Sequence, residues 1–328
     1  MKILIIGGSG RISLSVTKYL LKQGHMIYIL NRGKKMSYIP GAILIRKDIR
    51  NIEDVDSALD KEYFDIIIDF LVYSLADAKQ RTFLFRDRVR HYIFISSMTV
   101  CNATDNIYYN EESLVGNRYS EYAKNKIICE KYFLQQYNDN LFPVTIIRPT
   151  QTYDNFTVPM GVHGKMGSWQ NIQRILQNKK IIIHDNGRAF WSATRSEDFA
   201  VWVSDVSEND DSIGEIIQIS TDEYMTWNQI YEIISDEIGK ELRASYINSK
   251  TLAEKGKAFN LREMLLGDKA RSMIFDNTKL HSFSNYRPRL NMEEGIREAV
   301  KNTLENPYYQ ITDIDYEVWC NDMIVDYE

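Results

Sequence analysis

Two side chains one helical turn apart could carry out proton transfer. Tyr122 and Lys126 are four residues apart in the segment EYAKNKIICEKYF, and this spacing places both on one face of a predicted helix. Upstream, the segment HYIFISSM predicts a buried strand that ends at Ser96 and Ser97. A phenol has a pKa of about 10 and is a poor base at neutral pH, but a neighbouring ammonium group and a positively charged ring lower that pKa. We therefore expect Lys126 to lower the pKa of Tyr122, and Tyr122 to exchange a proton with a substrate oxygen that Ser97 holds.

A glycine-rich turn near the start of the chain predicts a phosphate-binding loop. Residues 3–6 are an apolar run, and they are followed by three glycines and then by a predicted helix start. Glycines let the backbone approach a pyrophosphate, and a helix N-terminus offers unpaired N–H groups. The loop residues expected to bind the pyrophosphate of a dinucleotide are Gly7, Gly8, Ser9, Gly10, Arg11 and Ile12.

Each of these two patterns has an ordinary structural alternative. The glycines could form a simple tight turn between a strand and a helix. A tyrosine and a lysine four residues apart are common on solvated helices, and this chain has 21 tyrosines. The order of glycine turn, serine-ended strand and tyrosine–lysine pair along one chain favours the functional interpretation.

The first half of the chain predicts a parallel sheet. Short apolar runs at residues 3–6, 26–30, 42–45, 64–70, 92–96 and 144–147 alternate with stretches of helical spacing. Apolar strands that alternate with helices are typical of a parallel sheet covered on both faces. A further run at residues 215–220 predicts a seventh strand. We therefore predict an α/β fold built on a doubly wound (Rossmann) parallel sheet of about seven strands.

The second half predicts a smaller substrate-binding lobe. A loop at residues 150–168 is followed by a predicted helix at 168–177, a strand at 180–184, and helices at 227–238 and 249–266. We predict a dinucleotide-binding domain at 1–150, to which 188–222 return, and a discontinuous lobe at 151–187 and 223–328. This lobe should cover the carboxyl edge of the sheet, where ligands bind. The expected substrate contacts are Ser97, Thr99, Tyr153, His163 and Trp191, with packing of the lobe as the alternative for Trp191.

Composition argues against several classes of protein. The net charge is −5 and no basic block stands out, which gives no support to nucleic-acid binding. The three cysteines lack CxxC spacing and the histidines lack metal-ligand spacing, so no metal site is expected. The apolar runs are too short to span a bilayer, and the first of them is expected to be a strand and not a signal peptide. We expect a cytoplasmic protein with a small-molecule substrate.

These motifs resemble the extended short-chain dehydrogenase/reductases of the NAD-dependent epimerase/dehydratase family. GGSG, Asp48-Ile49, FISSMTV, YAKNK and RPTQTY carry the resemblance over roughly the first 155 residues, and HDNGRAFWSATRSEDFA, TDEYMTWNQIYEII and LLGDKARSMIFDNTKL extend it over nearly the whole chain. The resemblance implies that Ser97, Tyr122 and Lys126 are catalytic. It also implies cofactor contacts beyond the glycine turn, at Asn31, Arg32, Asp48, Ile49, Phe70, Leu71, Lys126, Arg148 and Pro149.

Three departures from the family pattern matter. Ser13 replaces the last glycine of the turn, and it is small enough to keep the helix close to the strand. Cys101 and Asn102 stand where many members have Tyr-Gly. Met98 and Thr99 stand where the nucleotide-sugar 4,6-dehydratases carry an acidic pair. Dehydration thereby loses its expected general acid and base, so we rank that reaction low.

The residues after the second strand bear on the choice of cofactor. NAD enzymes usually place Asp or Glu there to bond the ribose diol, but this chain has Asn31 and Arg32, followed by Lys34 and Lys35. A guanidinium group pairs with a 2′-phosphate that a carboxylate would repel, which favours NADP over NAD. A solvated basic turn is the alternative.

The leading functional prediction is an NAD(P)-dependent oxidoreductase or epimerase that acts on a hydroxyl or ketone of a sugar nucleotide. The alternative is a non-catalytic dinucleotide-binding regulatory or RNA-contacting protein on the same fold. Family members often form dimers through the helix that carries the tyrosine–lysine pair, so a homodimer is possible. The outer face of that helix is expected to include Ile127, Glu130 and Leu134.

Overall fold

One parallel sheet of seven strands forms the centre of the protein. The computed structural model describes residues 1–33, 39–102 and 106–327. The sheet strands are β1 (Lys2–Ile6), β2 (Met26–Asn31), β3 (Ile43–Arg46), β4 (Phe64–Asp69), β5 (Val89–Ile95), β6 (Val144–Pro149) and β7 (Ile216–Ile219). Their order across the sheet is β7-β6-β5-β4-β1-β2-β3, and every neighbouring pair is parallel. The predicted α/β class and doubly wound sheet are confirmed.

Helices cover both faces of this sheet and continue into the second half of the chain. They are α1 (Arg11–Lys22), α2 (Ile52–Leu59), α3 (Leu75–Phe85), α4 (Glu121–Asn140), α5 (Trp169–Leu176), α6 (Ser196–Glu208), α7 (Trp227–Ile238), α8 (Ser249–Lys255), α9 (Thr278–Phe283), α10 (Met292–Glu305) and α11 (Ile314–Tyr327). Across the described ranges, no helix combines the length and apolar character that crossing a membrane requires.

The side chains of β1 show how the two faces are built. Successive side chains of a strand point to opposite sides, so Ile3 and Ile5 pack with α1 and α6, whereas Leu4 and Ile6 pack with α2, α3 and α4. All four are fully buried. The sheet order reverses between β1 and β4, because β1 pairs with β2 on one side and with β4 on the other. A crevice at such a reversal is where ligands of doubly wound sheets bind.

A second set of hydrophobic clusters lies outside the sheet. One contains the indoles of Trp191 and Trp227 together with residues of α5, α7 and α10, and another joins residues of α8 and α11. Short strands complete this region, at Tyr108–Tyr109, Gln151–Tyr153, Ile181–His184, Phe190–Trp191, Ala193–Arg195, Met225–Thr226, Ala244–Ile247 and Ile274–Phe275. The exact division of the chain into two lobes stays a prediction.

One predicted helix differs from the observed structure. The sequence predicts a continuous helix at residues 249–266, but α8 ends at Lys255 and the chain continues as a short 3₁₀ turn and then a π-helical segment, Arg262–Lys269. Asn260 has φ of +58°, which ends helical geometry at that residue. Apolar periodicity could not show this break, because it carries no information on a left-handed residue.

Candidate functional site

A cavity of about 1000 Å³ opens at the carboxyl edge of the sheet. Its lining comes from the ends of β1, β2, β4, β5 and β6 and from the start of α4. The predicted site residues that line it are Gly7, Ser9, Gly10, Arg11, Ile12, Ser13, Asn31, Arg32, Asp48, Ile49, Phe70, Leu71, Ser97, Tyr122, Lys126 and Pro149. The glycine turn and the proposed proton-transfer groups therefore share one cavity.

The glycine turn has a backbone that needs glycine at two positions. Gly7 and Gly8 have φ of +109° and +59°. A Cβ on Gly8 would lie 2.7 Å from Cγ2 of Ile29 on the neighbouring strand, closer than carbon atoms pack. Gly8 does not line the cavity, and its carbonyl instead accepts a hydrogen bond from Thr17 at 2.9 Å. Gly8 thus shapes the turn that presents its neighbours to the cavity.

Ser13 has a structural reason to replace the last glycine. Its hydroxyl oxygen accepts a hydrogen bond from the N–H of Gly10 at 2.9 Å, and the residue is 4% exposed. Helix α1 begins at Arg11, so the N–H groups of its first turn have no partner inside the helix. Ser13 therefore fixes the start of a helix whose N-terminus faces the cavity.

Asn31 ties the second strand to the glycine turn. Its side-chain nitrogen donates to the carbonyl of Gly7 and to the hydroxyl of Ser9, both at 3.2 Å. Its side-chain oxygen accepts from the N–H of Gly33 at 2.8 Å. These bonds hold the turn in shape, and the same amide faces the cavity where a ribose hydroxyl is expected.

Cations surround the end of the cavity beside β2. Arg32, Lys47 and Arg50 line it together with Asp48. Arg50 forms two bonds to Asp48, at 3.0 and 2.6 Å, which lower the pKa of that carboxyl, and Arg32 lowers it further. Asp77 also lines the cavity and acts on Arg50, so three cations against two carboxylates leave this end of the cavity with a net positive charge. Lys34 and Lys35, which were also predicted to contribute, lie outside the described residues.

Lys126 is enclosed at the base of the cavity. It is 1% exposed, and its ammonium donates to the main-chain carbonyls of Val72 at 2.8 Å and Ile95 at 2.7 Å. An ammonium has three donors, so one further donor is available to a ligand. Burial lowers the pKa of Lys126 to about 8. The ammonium lies over the faces of Tyr73 and Tyr122, at 5.0 and 5.6 Å from the ring centroids.

Tyr122 is at the mouth of the same cavity and keeps its proton. It is 38% exposed, and its ring centroid lies 6.3 Å from that of Tyr73. Burial and the neighbouring Tyr73 raise the pKa of Tyr122 to about 12, against Ser97, which lowers it. In the protein alone, burial therefore outweighs the lowering that was expected from Lys126, and the effect of a bound nicotinamide ring on this pKa stays a prediction.

Ser97 is positioned by a short turn after β5. It precedes the 3₁₀ turn Met98–Val100, and its hydroxyl oxygen accepts from the N–H of Thr99 at 3.2 Å. The Ser97 hydroxyl also donates to the Thr99 hydroxyl at 3.1 Å. Ser96 belongs to a different network, in which its hydroxyl donates to Glu130. The two adjacent serines therefore have separate tasks.

Arg148 does not line the cavity, although its neighbour Pro149 does, and its role as a cofactor contact stays a prediction. Its guanidinium donates to both carboxylate oxygens of Glu130, at 3.0 and 2.7 Å, and these side chains are 3% and 4% exposed. Glu130 was expected on the outer face of α4, but the demand of a buried cation for a counter-charge draws it inward. Ile127 and Leu134 are partly buried against hydrophobic clusters, and a homodimer through α4 stays a prediction.

The other predicted substrate contacts do not line this cavity either. The indole of Trp191 is 5% exposed, stacks on Trp227 and donates to Gln151 at 2.7 Å. Tyr153 is 2% exposed, and His163 bonds to the carbonyl of Gly164. Thr99 sits behind Ser97 and contacts Asp268. Their roles in substrate binding stay predictions. For Trp191, the burial and the stacking on Trp227 agree with the alternative, a role in packing.

Sequence reasoning missed several residues that line the cavity. They include Lys47, Arg50, Tyr73 and Gln151. Two of these flank the Asp48-Ile49 pair directly, so a search for cations around that pair would have found them. Tyr73 offered no comparable signal, because it lies in a loop after β4 and meets Tyr122 only through the fold.

Comparison with known proteins identifies the family. A family model described as the NmrA-like family matches residues 1–270. The chain belongs to the NmrA-like family. Among curated proteins, this NmrA-like protein is 21% identical over 257 residues to a 2'-dehydrokanamycin reductase of Streptomyces kanamyceticus, covering 77% of this chain and 71% of that one. It is 24% identical over 330 residues to a putative UDP-glucose 4-epimerase of Methanocaldococcus jannaschii, covering 93% and 98%.

Solved structures agree on the fold. The NmrA-like protein superimposes on a UDP-glucuronic acid 4-epimerase of Bacillus cereus, crystallised with NAD, at a TM-score of 0.74 and 16% identity, covering 93% of this chain and 99% of that one. The resemblance to extended short-chain dehydrogenase/reductases of the epimerase/dehydratase type is thereby confirmed.

Proposed function

We propose that the protein is an NAD(P)-dependent oxidoreductase or epimerase that acts on a hydroxyl or ketone of a sugar nucleotide. The observation that carries the proposal is that Ser97, Tyr122 and Lys126 line the same cavity as the glycine turn. The relatives named a reductase and an epimerase support this class of reaction. Tyr122 is the proposed general acid/base.

The residues of the cavity fit a dinucleotide. The left-handed backbone at Gly7 and Gly8 and the helix start at Arg11 form the kind of loop that accepts a pyrophosphate. A volume of about 1000 Å³ is at the upper end of the range for ligand sites. We assign the pyrophosphate to the loop, the adenosine end to Arg32 and Ile49, and a ribose hydroxyl to the remaining donor of Lys126. When bound, the nicotinamide would supply or accept the hydride.

The chain's own groups then manage the proton. With a pKa near 12, Tyr122 is a neutral phenol at pH 7 and can donate a proton to a substrate oxygen. Ser97 positions that oxygen through its hydroxyl. Taking a proton in the opposite direction requires a further positive charge near the phenol, since Lys126 alone does not lower the pKa of Tyr122 below its ordinary value.

We further propose a preference for NADP over NAD. Arg32, Lys47 and Arg50 line the end of the cavity where the adenosine ribose is expected, and they outnumber the carboxylates of Asp48 and Asp77 that also line the cavity. A charge-assisted bond to a phosphate contributes about 1.5–3 kcal/mol, or roughly 10- to 150-fold in affinity. In isothermal titration calorimetry, Arg32→Ala should weaken the binding of NADP by that factor and leave the affinity for NAD nearly unchanged. Arg188→Ala, an exposed arginine outside the cavity, is the control. Tighter binding of NAD by the unaltered protein would contradict the preference.

The reaction itself is tested with a panel of UDP- and dTDP-linked hexoses. A reductase or dehydrogenase should change nicotinamide absorbance in proportion to product, whereas an epimerase should interconvert sugars without net change in cofactor. Tyr122→Phe should reduce turnover at least 100-fold, because proton transfer by a positioned side chain contributes about 10²–10⁴-fold to the rate. The affinity for the dinucleotide should stay within about twofold. A Tyr122→Phe variant that behaves as the unaltered protein in every assay would favour the non-catalytic alternative.

A further inference from the structure

A line of polar groups runs from Ser97 away from the cavity into the second half of the chain. Ser97 lines the cavity together with Tyr122, whose pKa it lowers, and the Ser97 hydroxyl donates to the Thr99 hydroxyl at 3.1 Å. The Thr99 hydroxyl in turn donates to Oδ2 of Asp268 at 3.3 Å. The turn after β5 and the π-helical segment therefore meet in one hydrogen-bonded series that begins beside Tyr122.

Asp268 is an unusual end for such a series. The residue is half-buried, but its second carboxylate oxygen, Oδ1, is fully enclosed and lacks a hydrogen-bond partner among the described residues. An enclosed carboxylate without full hydrogen bonding is costly when ionised. Burial raises the pKa of Asp268 to about 6, against Lys269, Arg271 and the Thr99 hydroxyl, which lower it. The carboxyl group of Asp268 therefore gains or loses its proton near pH 6, within the pH range in which enzymes usually work.

The surrounding bonds hold this series in place. The amide of Asn117 donates to the carbonyl of Thr99 at 2.8 Å and to the carbonyl of Gly267 at 2.9 Å, so it bridges the turn and the π-helical segment. Arg271 donates to the carbonyl of Cys101 at 3.0 Å. A π-helical segment is rare and frequently occurs at functional sites. The contact between Thr99 and Asp268 is thus supported from both sides.

We propose that Asp268 is a positioning residue that sets, through Thr99, whether Ser97 donates or accepts a hydrogen bond in the cavity. This inference rests on the proposed function, because it concerns the same proton-transfer site. The turn after β5 lacks the acidic pair of the 4,6-dehydratases, but the carboxyl group of Asp268, which is distant in sequence, contacts Thr99 in this turn.

The two charge states of Asp268 give the hydroxyl groups opposite directions. An ionised Asp268 accepts from Thr99, Thr99 then accepts from Ser97, and the Ser97 oxygen is left to accept from a substrate hydroxyl. A protonated Asp268 can donate to Thr99, Thr99 to Ser97, and Ser97 to a substrate carbonyl oxygen. No covalent bond changes apart from the one proton that Asp268 gains or loses. The ionised form suits oxidation of an alcohol, and the protonated form suits reduction of a ketone.

Other charged groups near Asp268 are engaged elsewhere. The ammonium of Lys269 donates to the carbonyl of Met160 at 2.8 Å, and burial lowers the pKa of Lys269 to about 8. Glu263, on the same segment, accepts from the hydroxyl of Ser120 at the start of α4. The guanidinium of Arg271 donates to the carbonyl of Cys101. Asp268 is the carboxylate of this set that bonds to Thr99.

The test follows Tyr122 by NMR in protein labelled with ¹³C at the tyrosine ζ carbon, without any substrate. The Tyr122 resonance is assigned by its absence in Tyr122→Phe. The unaltered protein should show a step in that resonance with a midpoint near pH 6, as the direction of the hydroxyl groups reverses. Asp268→Asn should remove the step. Thr99→Val should also remove it, whereas Thr99→Ser, which keeps the hydroxyl, should retain it.

Several outcomes would overturn the inference. A missing step in the unaltered protein would do so, and so would a step that persists in Asp268→Asn or Thr99→Val. If Asp268→Asn fails to fold, as judged by its thermal midpoint, the Thr99→Val and Thr99→Ser pair decides alone. Because this titration needs no substrate, a lack of turnover would refute the proposed function and leave the inference standing. With an active ketone substrate, Asp268→Asn should keep its turnover above pH 6, where that of the unaltered protein falls, because the amide can donate to Thr99 as the protonated carboxyl does. KM should stay within about twofold, and the pH dependence near 6 should be lost.

Discussion

Replacing Arg148 by methionine should destabilise the fold strongly and leave the cavity intact. The substitution removes the two bonds at 3.0 and 2.7 Å that neutralise Glu130, whose side chain is 4% exposed. The carboxylate would then keep the hydroxyl of Ser96 but no cation. Breaking a buried pair by removing one partner costs about 3–5 kcal/mol, because a buried charge is left without compensation. Two lost charge-assisted bonds at about 1.5–3 kcal/mol each give a similar sum.

Urea denaturation of three proteins measures this effect: the unaltered chain, Arg148→Met, and Arg148→Met combined with Glu130→Gln. The double variant has no unpaired buried charge, so its free energy of unfolding should be at least about 2 kcal/mol higher than that of the single variant. The dependence of this free energy on urea concentration should be unchanged. Acidification protonates the stranded carboxylate of the single variant, so its deficit should shrink as the pH falls.

Two results would refute this reasoning. One is a loss below about 1 kcal/mol in the single variant, and the other is a double variant no more stable than the single one. Calorimetry with NADP on the double variant also tests the placement of Arg148. Affinity within about twofold of the unaltered protein agrees with a residue outside the cavity, whereas a tenfold loss would support Arg148 as a cofactor contact.

Three further predictions concern stability and reactivity. Gly8→Ala should lower the free energy of unfolding by about 2–5 kcal/mol, because the backbone is left-handed there and the added Cβ would overlap the neighbouring strand. Gly239→Ala, at φ of +73° with open space around it, should lower it by only about 1–2 kcal/mol, and equal shifts in the urea midpoint would contradict this difference. His91 and His184 are buried, and burial lowers the pKa of each from 6.5 to about 4, so the unfolded chain binds more protons than the folded one below pH 6.5. The free energy of unfolding should therefore fall by about 2 kcal/mol for each histidine between pH 7 and pH 5, and an unchanged value over this range would argue against the prediction. The three cysteines are buried and burial raises the pKa of their thiols to about 11 or 12, so a thiol reagent at pH 8 should label none in the folded protein and all three in urea; rapid labelling before unfolding would show otherwise.

Much of the fold could be predicted because the sheet strands are continuous apolar runs. Residues such as Ile66, Ile67 and Ile68 are buried on both faces of the sheet, so burial leaves a plain mark in the sequence. The glycine turn could also be predicted, because a backbone with positive φ at two successive residues favours glycine, and the sequence shows Gly7 and Gly8 there. The break after α8 could not be predicted, since the left-handed backbone of Asn260 leaves no mark in the apolar pattern.

The site was harder to predict where a side chain's partner is distant in sequence. Arg148 follows the expected motif, yet it pairs with Glu130 on α4 and does not line the cavity. The environment of Tyr122 likewise depends on Tyr73, which the spacing of residues around α4 could not reveal. Motifs indicate which groups stand near an edge of the sheet, whereas their protonation and contacts depend on the packing of several elements.

The bonds of Asn31 have a consequence for redesign of coenzyme choice. Introducing an acidic residue at this position is the obvious route toward an enzyme that prefers NAD. A carboxylate cannot donate, however, so Asn31→Asp would lose the bond to the Gly7 carbonyl and set the carboxylate against that oxygen. The Ser9 hydroxyl would have to turn and donate to the carboxylate, and acceptance from Gly33 would stay. Coenzyme recognition and the shape of the loop are coupled through one amide, and an engineer would have to rebuild the loop's support at the same time as its selectivity.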